Sequence, residues 1–362
     1  MSNRAYNFNA GPAALPLEVL EQAQAQFVEY QGAGMSIMEM SHRSALYEGL
    51  NNDTQALMRE LFGIPDNYEV LFLQGGASTQ FAMVPMNLLK PGTAGAYVMT
   101  GSWASKAAKE AKLFGETAVA ASSQNDEYRR IPALSDIVIP EQAAYVHVTS
   151  NETIEGTQFQ EFPDTGSVPL IGDMSSDIMS RPVDISKFGL IYAGAQKNLG
   201  PSGVTVVIIR KDLAENSPAT VPTMLRYDTH AKDRSLYNTP PSFSVYMVNL
   251  VLQWIKNKGG VQAIEQFNRD KTQLIYDRID NSGGFYRGFA QTESRSRMNI
   301  TFRIHSEELE KQFIKESELQ GFVGLKGHRS VGGLRASTYN AVPLESCQAL
   351  ASFMADFQKR HG

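Results

Sequence analysis

Short apolar runs alternate along this chain with stretches of helical spacing, and that alternation bounds the fold. Glu69 to Gln74, Ala96 to Thr100, Thr117 to Ala120, Ala144 to Thr149, Val168 to Asp173, Phe188 to Ala193 and Val204 to Ile209 are short apolar runs. Their length and their β-branched and aromatic content predict buried strands. Between them, Gln80 to Leu89 and the segment after Trp103 through Phe114 predict helices. Two earlier helices are predicted over Leu17 to Tyr30 and Leu46 to Phe62, with a short extended piece, Met35 to Arg43, between them. The stretch from about 65 to 210 therefore predicts an open, mostly parallel α/β sheet flanked by helices, whose ligands bind outside the carboxyl ends of the strands.

Beyond Arg210 the rhythm widens. A turn-rich passage leads to helices over Ser242 to Lys256 and Val261 to Asp280, then a strand over Ser296 to Arg303 and a helix over Glu307 to Leu319. A strand-like piece, Val331 to Ser337, precedes a closing helix from Leu344 to Arg360. This spacing predicts a smaller C-terminal α/β domain over 258–362, joined to a large domain over 16–257. No internal repeat or low-complexity tract interrupts it.

Composition excludes several classes. The 362 residues are 42% hydrophobic and 20% charged, as in an ordinary soluble protein with ample core. A net charge of −5 argues against nucleic acid or an anionic membrane as the main partner. No apolar run nears the ~20 residues of a membrane span, and the first residues lack a signal-peptide core. The single cysteine, Cys347, forms neither an internal disulfide nor a metal site, so the expected compartment is the cytoplasm and no metal is expected.

Candidate chemistry gathers where strands finish. The stretch Ala193-Gly-Ala-Gln-Lys-Asn-Leu-Gly-Pro-Ser-Gly203 sets one lysine, Lys197, among small residues between two predicted strands. Burying an ammonium is costly unless it is paired or chemically used, and a strand-end lysine suits a Schiff base with an aldehyde cofactor. The plain alternative is a loop lysine that points into water. Asp173 ends another apolar run some two dozen residues earlier; alone it is as easily a turn residue. Together with Lys197 it supplies the carboxylate that a pyridine nitrogen needs. Gly75-Gly76-Ala77 lies between a strand and a helix, in outline a phosphate cup built on backbone N–H groups, though such turns also serve packing alone. Trp103 follows a strand where an indole can stack on a flat ring or plug a core.

With those residues assembled, the chain resembles the phosphoserine aminotransferase family, class V pyridoxal-phosphate enzymes of fold-type I. The likeness runs from Phe8-Asn-Ala-Gly-Pro-Ala through Gly75-Gly-Ala-Ser and Ala193-Gly-Ala-Gln-Lys-Asn to Gly327-His-Arg-Ser-Val-Gly-Gly-Leu-Arg335. The resemblance implies a homodimer with shared active sites and residues 1–15 packed on the small domain. It implies that Lys197 holds pyridoxal 5′-phosphate covalently and that Asp173 pairs with its ring nitrogen. Trp103 would stack on the ring and Thr153 would help to hold it. Gly76, Ala77 and Gln196 would bind the phosphate, with Asn238 and Thr239 reaching in from the second subunit. The family often has Arg where Ala77 stands, so at that position only a backbone N–H remains to serve.

Charge carries the substrate side. Phosphoserine and glutamate each bear two separated anions, which call for two cationic groups, preferably with Arg. The chain offers His42-Arg43, His328-Arg329 and Arg335. Paired His-Arg steps are commonly surface accidents, but the resemblance implies that Arg335 takes the α-carboxylate and that His42, Arg43, His328 and Arg329 receive the distal anion. The reaction implied is amino transfer from glutamate to 3-phosphooxypyruvate in serine biosynthesis, with phosphohydroxythreonine in pyridoxine biosynthesis as a further substrate. Three rivals stay open. A cysteine desulfurase needs a nucleophilic thiol on a mobile loop, whereas Cys347 falls in the apolar pattern of the last helix. A phosphate-binding protein without catalysis leaves Asp173 and Lys197 idle. An alanine–glyoxylate or serine–pyruvate aminotransferase has little use for two basic clusters.

Overall fold

The computed structural model describes residues 4–362. Its centre is a seven-stranded sheet in the order Tyr68–Leu73, Thr205–Arg210, Leu190–Gly194, Leu170–Asp173, Ala143–Thr149, Ala94–Met99, Glu116–Ser122. Thr205–Arg210 runs antiparallel to both its neighbours and every other pairing is parallel, which agrees with the mostly parallel sheet expected. Period-two alternation divides the strand side chains between two cores. Val70, Phe72, Val146, Val148, Val206 and Ile208 face one cluster, and Leu71, Leu73, Tyr145, Val207 and Ile209 face the other. Both faces are covered, which is why these strands are apolar throughout.

Helices close each face. Ala45–Phe62 begins where the Ser44 hydroxyl accepts from Tyr47 N–H and ends at Gly63 in the left-handed conformation. That pairing of a hydroxyl cap and a terminal glycine is what the helix ends require. Ser242–Asn257 packs beside it, placing Val245, Val248 and Leu252 in the first core. The helix Gly260–Asp280 spans two cores: Val261 and Ile264 join the first, whereas Ile275 and Ile279 join a third cluster with Phe302, Phe313, Leu350 and Phe357. That third cluster lies around a three-stranded antiparallel sheet, Tyr286–Gly288, Asn299–Ile304 and Leu334–Ser337.

The N-terminal segment joins distant parts. Tyr6–Asn7 pairs in parallel with Phe322–Val323, and Phe8 is fully buried in the third cluster. Ala13 N–H donates to Gln196 O at 2.9 Å, which fixes this segment beside the lysine loop.

Several boundaries differ from the sequence expectation. Met35 to Arg43 forms turns and bends rather than an extended piece; Tyr30 N–H bonds back to Met35 O, and Ser36 and Ser41 hydroxyls accept from N–H groups two residues on. The first helix stops at Ala25 instead of Tyr30. The helix predicted from Gln80 begins at Gly76, so Ala77 lies in its first turn. The helix carrying Trp103 ends at Ala111 rather than Phe114, because Gly115 and Phe114 N–H groups both turn back onto Ala111 O. The last strand starts at Leu334, since Gly332 and Gly333 hold positive φ. The turn-rich passage after Arg210 also contains two short helices, Lys211–Glu215 and Tyr227–Lys232.

Candidate active site

Parallel strands deliver their carboxyl ends to one edge of the sheet. Thr149 is level with Asp173, Asp173 with Tyr192, and Gly194 and Leu73 lie level across Thr205. Whatever follows Leu73, Met99, Thr149, Asp173 and Gly194 therefore collects along that edge.

Lys197 occupies the tight loop between Leu190–Gly194 and Thr205–Arg210. Ala195 N–H bonds Val204 O, and Leu199 and Gly200 N–H groups return to Ala195 O. The half-buried lysine donates from Nζ to Thr153 Oγ1 at 2.6 Å, and Nζ lies 5.6 Å from the centre of the Trp103 ring. Burial pushes the amine down to about 8; the Asp173 charge opposes that shift and the Arg335 charge adds to it. Such an amine is partly neutral near physiological pH, as a nucleophile or base must be. Gly11 packs against Lys197, a Cβ there standing 3.6 Å from the lysine Cε.

Asp173 is 5% exposed at the end of its strand, with Oδ1 accepting from Ser175 N–H at 3.0 Å. Burial raises its pKa, with Ser175 and the Lys197 charge pulling back. A buried carboxylate at a strand end is a ready partner for a protonated ring nitrogen. Arg335, from the last strand of the antiparallel sheet, donates from Nη1 to Thr153 O at 3.1 Å, while its buried Nε has no partner. Thr153 thus holds the amine through its hydroxyl and the guanidinium through its carbonyl.

The helix Gly76–Leu88 starts without a side-chain cap, so its first N–H groups are open to an anion. Gly75 has φ +94, and a Cβ there would fall 1.9 Å from Thr79 Oγ1, so glycine is obligatory. Gly76 and Ala77 are half-buried at this open end. Across the sheet edge the Gln196 side chain folds back over Gly194, within 2.6 Å of where a Cβ would stand. Asn238 and Thr239 contact Gln74 in this chain, through bonds of 3.3 and 3.2 Å, beside a cavity of about 240 Å³ that Gln74, Gly75, Asn238 and Met83 help to line.

Trp103 is half-buried in the first turn of Ser102–Ala111, and its buried Nε1 has no partner. Lys106 was not anticipated from the sequence: its Nζ stands 4.1 Å from the Trp103 ring. The i, i+3 spacing on a helix was the available signal. Burial and then the charges of Arg335, Arg329 and Lys106 hold the His328 pKa below its ordinary value, so a neutral imidazole stands among three cations. His328 Nδ1 is 2.7 Å from Ser330 Oγ, and Arg329 is exposed. His42 is half-buried with an unpartnered Nε2, and Arg43 is exposed; within this chain neither bonds to the Lys197 cluster. Glu152 and Glu155, also unanticipated, flank Thr153 and are buried. Cys347 is fully buried, and burial raises its thiol to about 11, which removes the nucleophile a desulfurase requires.

The donor set fits pyridoxal phosphate: an open helix N-terminus for the phosphate, a lysine of lowered pKa for the aldehyde, a buried carboxylate, and an indole whose ring centre lies 5.6 Å from that lysine's Nζ. Among the described residues, no cluster of side chains suits a metal ion.

Comparison with known proteins agrees. The class-V aminotransferase family model matches residues 5–350. The phosphoserine aminotransferase of Niallia circulans is 68% identical over all of both chains, and that of Bacillus subtilis is 55% identical over 99% of each. The solved phosphoserine aminotransferase from Bacillus circulans subsp. alkalophilus superposes with a TM-score of 0.99 at 68% identity over the whole of both chains. A structure described as showing radiation damage of the Schiff base in phosphoserine aminotransferase gives 0.98 at 57% identity over 99% of each. On this agreement of site, sequence and fold, the chain belongs to the class-V aminotransferases, in the phosphoserine aminotransferase family.

Proposed function

We propose that this protein moves an amino group from L-glutamate to 3-phosphooxypyruvate, giving 2-oxoglutarate and O-phospho-L-serine, with pyridoxal 5′-phosphate as its resident cofactor. One observation carries the reading: Lys197 Nζ and the Arg335 guanidinium are held on two atoms of the same residue, Thr153. A lysine amine and a guanidinium anchored on one residue are placed to address the amino group and the carboxylate of one amino-acid Cα.

When bound, the cofactor supplies a protonated ring that accepts the electron pair left behind at Cα. Asp173 holds the proton on the ring nitrogen by its charge. Lys197 Nζ, with its pKa lowered to about 8, lifts the proton from the substrate Cα. Arg335 fixes the α-carboxylate, so that the Cα–H bond faces the lysine. Trp103 covers the ring site against water, and Thr153 fixes the lysine amine before substrate enters. Gly76, Ala77 and Gln196 are the phosphate ligands in this reading, with Asn238 and Thr239 given by a partner subunit. The cluster of His328, Arg329 and Lys106 beside Arg335 receives the distal phosphate or carboxylate, together with His42 and Arg43.

A homodimer belongs to the same reading. Phe27 and Val28 are 48% and 79% exposed on an apolar groove of about 440 Å³ that Leu15, Leu20, Phe243 and Met247 also line, and a second copy of this chain is its occupant. Sedimentation at micromolar concentration should give twice the 39.9 kDa chain mass; a monomer refutes this assignment. The unit boundary near residue 258 is ours as well; the helix Gly260–Asp280 that follows it ties the two units together, with Val261 and Ile264 in the first core and Ile275 and Ile279 in the third. No helix among the described residues is long and apolar enough to cross a membrane, and a cytoplasmic setting suits the substrates.

The test is amino transfer from glutamate to a panel of phosphorylated and plain 2-oxo acids. A preference for 3-phosphooxypyruvate over pyruvate and glyoxylate is expected, and the phosphohydroxythreonine precursor extends the panel for the second substrate. Equal rates with pyruvate and 3-phosphooxypyruvate would contradict the proposal.

A further inference from the structure

The hairpin after strand Ala143–Thr149 carries two acids that the proposed reaction does not use. Glu152 is fully buried and Glu155 is 3% exposed. Together they take the first N–H groups of the helix Ser102–Ala111. Ser102 N–H donates to Glu155 Oε1 at 2.9 Å, Trp103 N–H to Glu152 Oε2 at 3.1 Å and Ala104 N–H to Glu152 Oε1 at 3.0 Å. The Thr100 and Ser102 hydroxyls add bonds of 3.2 and 2.7 Å to Glu152 and Glu155. One acid is enough to cap a helix. Here two acids from one hairpin share the cap, with Thr153 between them and Trp103 in the turn they hold.

Gly101 lets the two acids meet. A Cβ at that position would lie 2.6 Å from Glu152 Cδ and 2.7 Å from Glu155 Oε2, so both carboxyl groups press on the same point of the backbone. Glu155 Oε2 is buried without a hydrogen-bond partner. Two carboxylates packed this closely out of water do not both ionise near neutral pH, and their titrations belong to the pair. The charged groups around Glu152 are Glu155, Asp173 and Lys197; Glu155 in addition faces Arg335. Burial and then the Glu155 charge push Glu152 up to about 8, while burial raises Glu155 against the pull of Ser102 and Arg335.

We propose that Glu152 and Glu155 form a carboxyl pair sharing one proton, which positions the Trp103 indole and the Thr153 hydroxyl as one unit around the cofactor ring. Both are positioning residues. Thr153 holds the lysine and Trp103 covers the ring, so loss of the shared proton loosens both at once. This proposal rests on the site reading above, but its signals come from the chain itself.

The first readout is the infrared C=O stretch of a protonated carboxyl in the holoenzyme, followed from neutral to alkaline pH. The native protein should show a band that disappears with a midpoint near that of Glu152. Glu152→Gln should remove that band, and Glu155→Gln should lower its midpoint, because burial still holds Glu152 up but its like-charged neighbour is gone. Should either variant fail to fold, Ser102→Ala serves instead: taking a donor from Glu155 should move the midpoint up. The second readout is Trp103 emission in a Trp254→Phe chain, where Trp103 is the only indole. Its emission should change with the same midpoint, and still do so in Lys197→Ala. Absence of the band, a band unmoved in the folded variants, or an emission step that vanishes with Lys197 overturns the proposal. A chain that keeps both signals yet transfers no amino group leaves the pair standing and contradicts the function instead.

Discussion

Replacing Asp173 by Asn keeps the shape of a buried side chain and takes away its charge. Asp173 ends its strand with Oδ1 bonded to Ser175 N–H, and an amide oxygen can accept the same bond, so the turn after the strand persists. Two consequences follow. The neutral amide no longer stabilises a proton on the ring nitrogen, and a preorganised electrostatic partner of this kind contributes ~3–4 kcal/mol, or about 10²–10³ in rate. The second concerns Lys197, whose pKa the Asp173 charge props up against burial. Without that charge the amine titrates below about 8, so its neutral form extends to lower pH even as proton abstraction slows. Single-turnover amino transfer from glutamate, followed across the neutral and alkaline range, measures both. The expected result is a rate depressed about a hundredfold or more and a pH profile displaced toward acid. A deprotonation rate within about tenfold of the parent, a change of under ~1.4 kcal/mol, would refute the role assigned to Asp173.

Lys197→Ala should abolish transfer while the cofactor still binds noncovalently, since the open helix end and Asp173 persist; borohydride reduction and peptide mapping of the parent should label Lys197 alone, and a label on another lysine sinks the assignment. Arg43→Leu and Arg329→Leu should each lower kcat/KM for phosphoserine about tenfold to a hundredfold, since a charge-assisted contact contributes ~1.5–3 kcal/mol, while leaving alanine little affected. Arg335→Leu should instead penalise phosphoserine, glutamate and alanine alike, and equal losses for alanine and phosphoserine in the first two variants would remove them from the distal-anion site. Gly75→Ala forces a Cβ onto Thr79 at a φ of +94, so cofactor titration should show affinity down by at least about tenfold and thermal unfolding a loss of ~1–3 kcal/mol; unchanged affinity would mean that the helix end does not hold the phosphate.

The sheet and the places of its candidate residues were legible because both obey local rules. Runs such as Val204 to Ile209 are apolar enough to require burial on two faces, and Asp173 and Lys197 stand where such runs end. Those ends are set by the strands themselves, so one edge gathers them whatever the helices do. Helix boundaries were read less well: the helix after Gly75 starts four residues early because two glycines at positive φ allow the chain to turn at once. Met35 to Arg43 has strand-like composition, but its serines satisfy its own backbone and leave no ladder to form. Lys106, Glu152 and Glu155 escaped notice because their roles depend on long-range packing. A lysine on a helix surface and two acids in a turn carry no sign of what will pack against them until the strands are ordered.

The N-terminal strand has a consequence for how the molecule is made. Tyr6–Asn7 pairs with Phe322–Val323, and Gly11 lies against Lys197. During synthesis, at ~5–20 residues per second, the first strand waits on the order of tens of seconds for its partner to leave the ribosome. Phe8, fully buried beside Phe322 in the finished fold, cannot reach that place before the interval ends. The lysine loop gains its last neighbours only after the segment bearing Arg335 has emerged, so a ribosome that stalls short of that point releases a chain with a formed sheet and an unfinished catalytic edge.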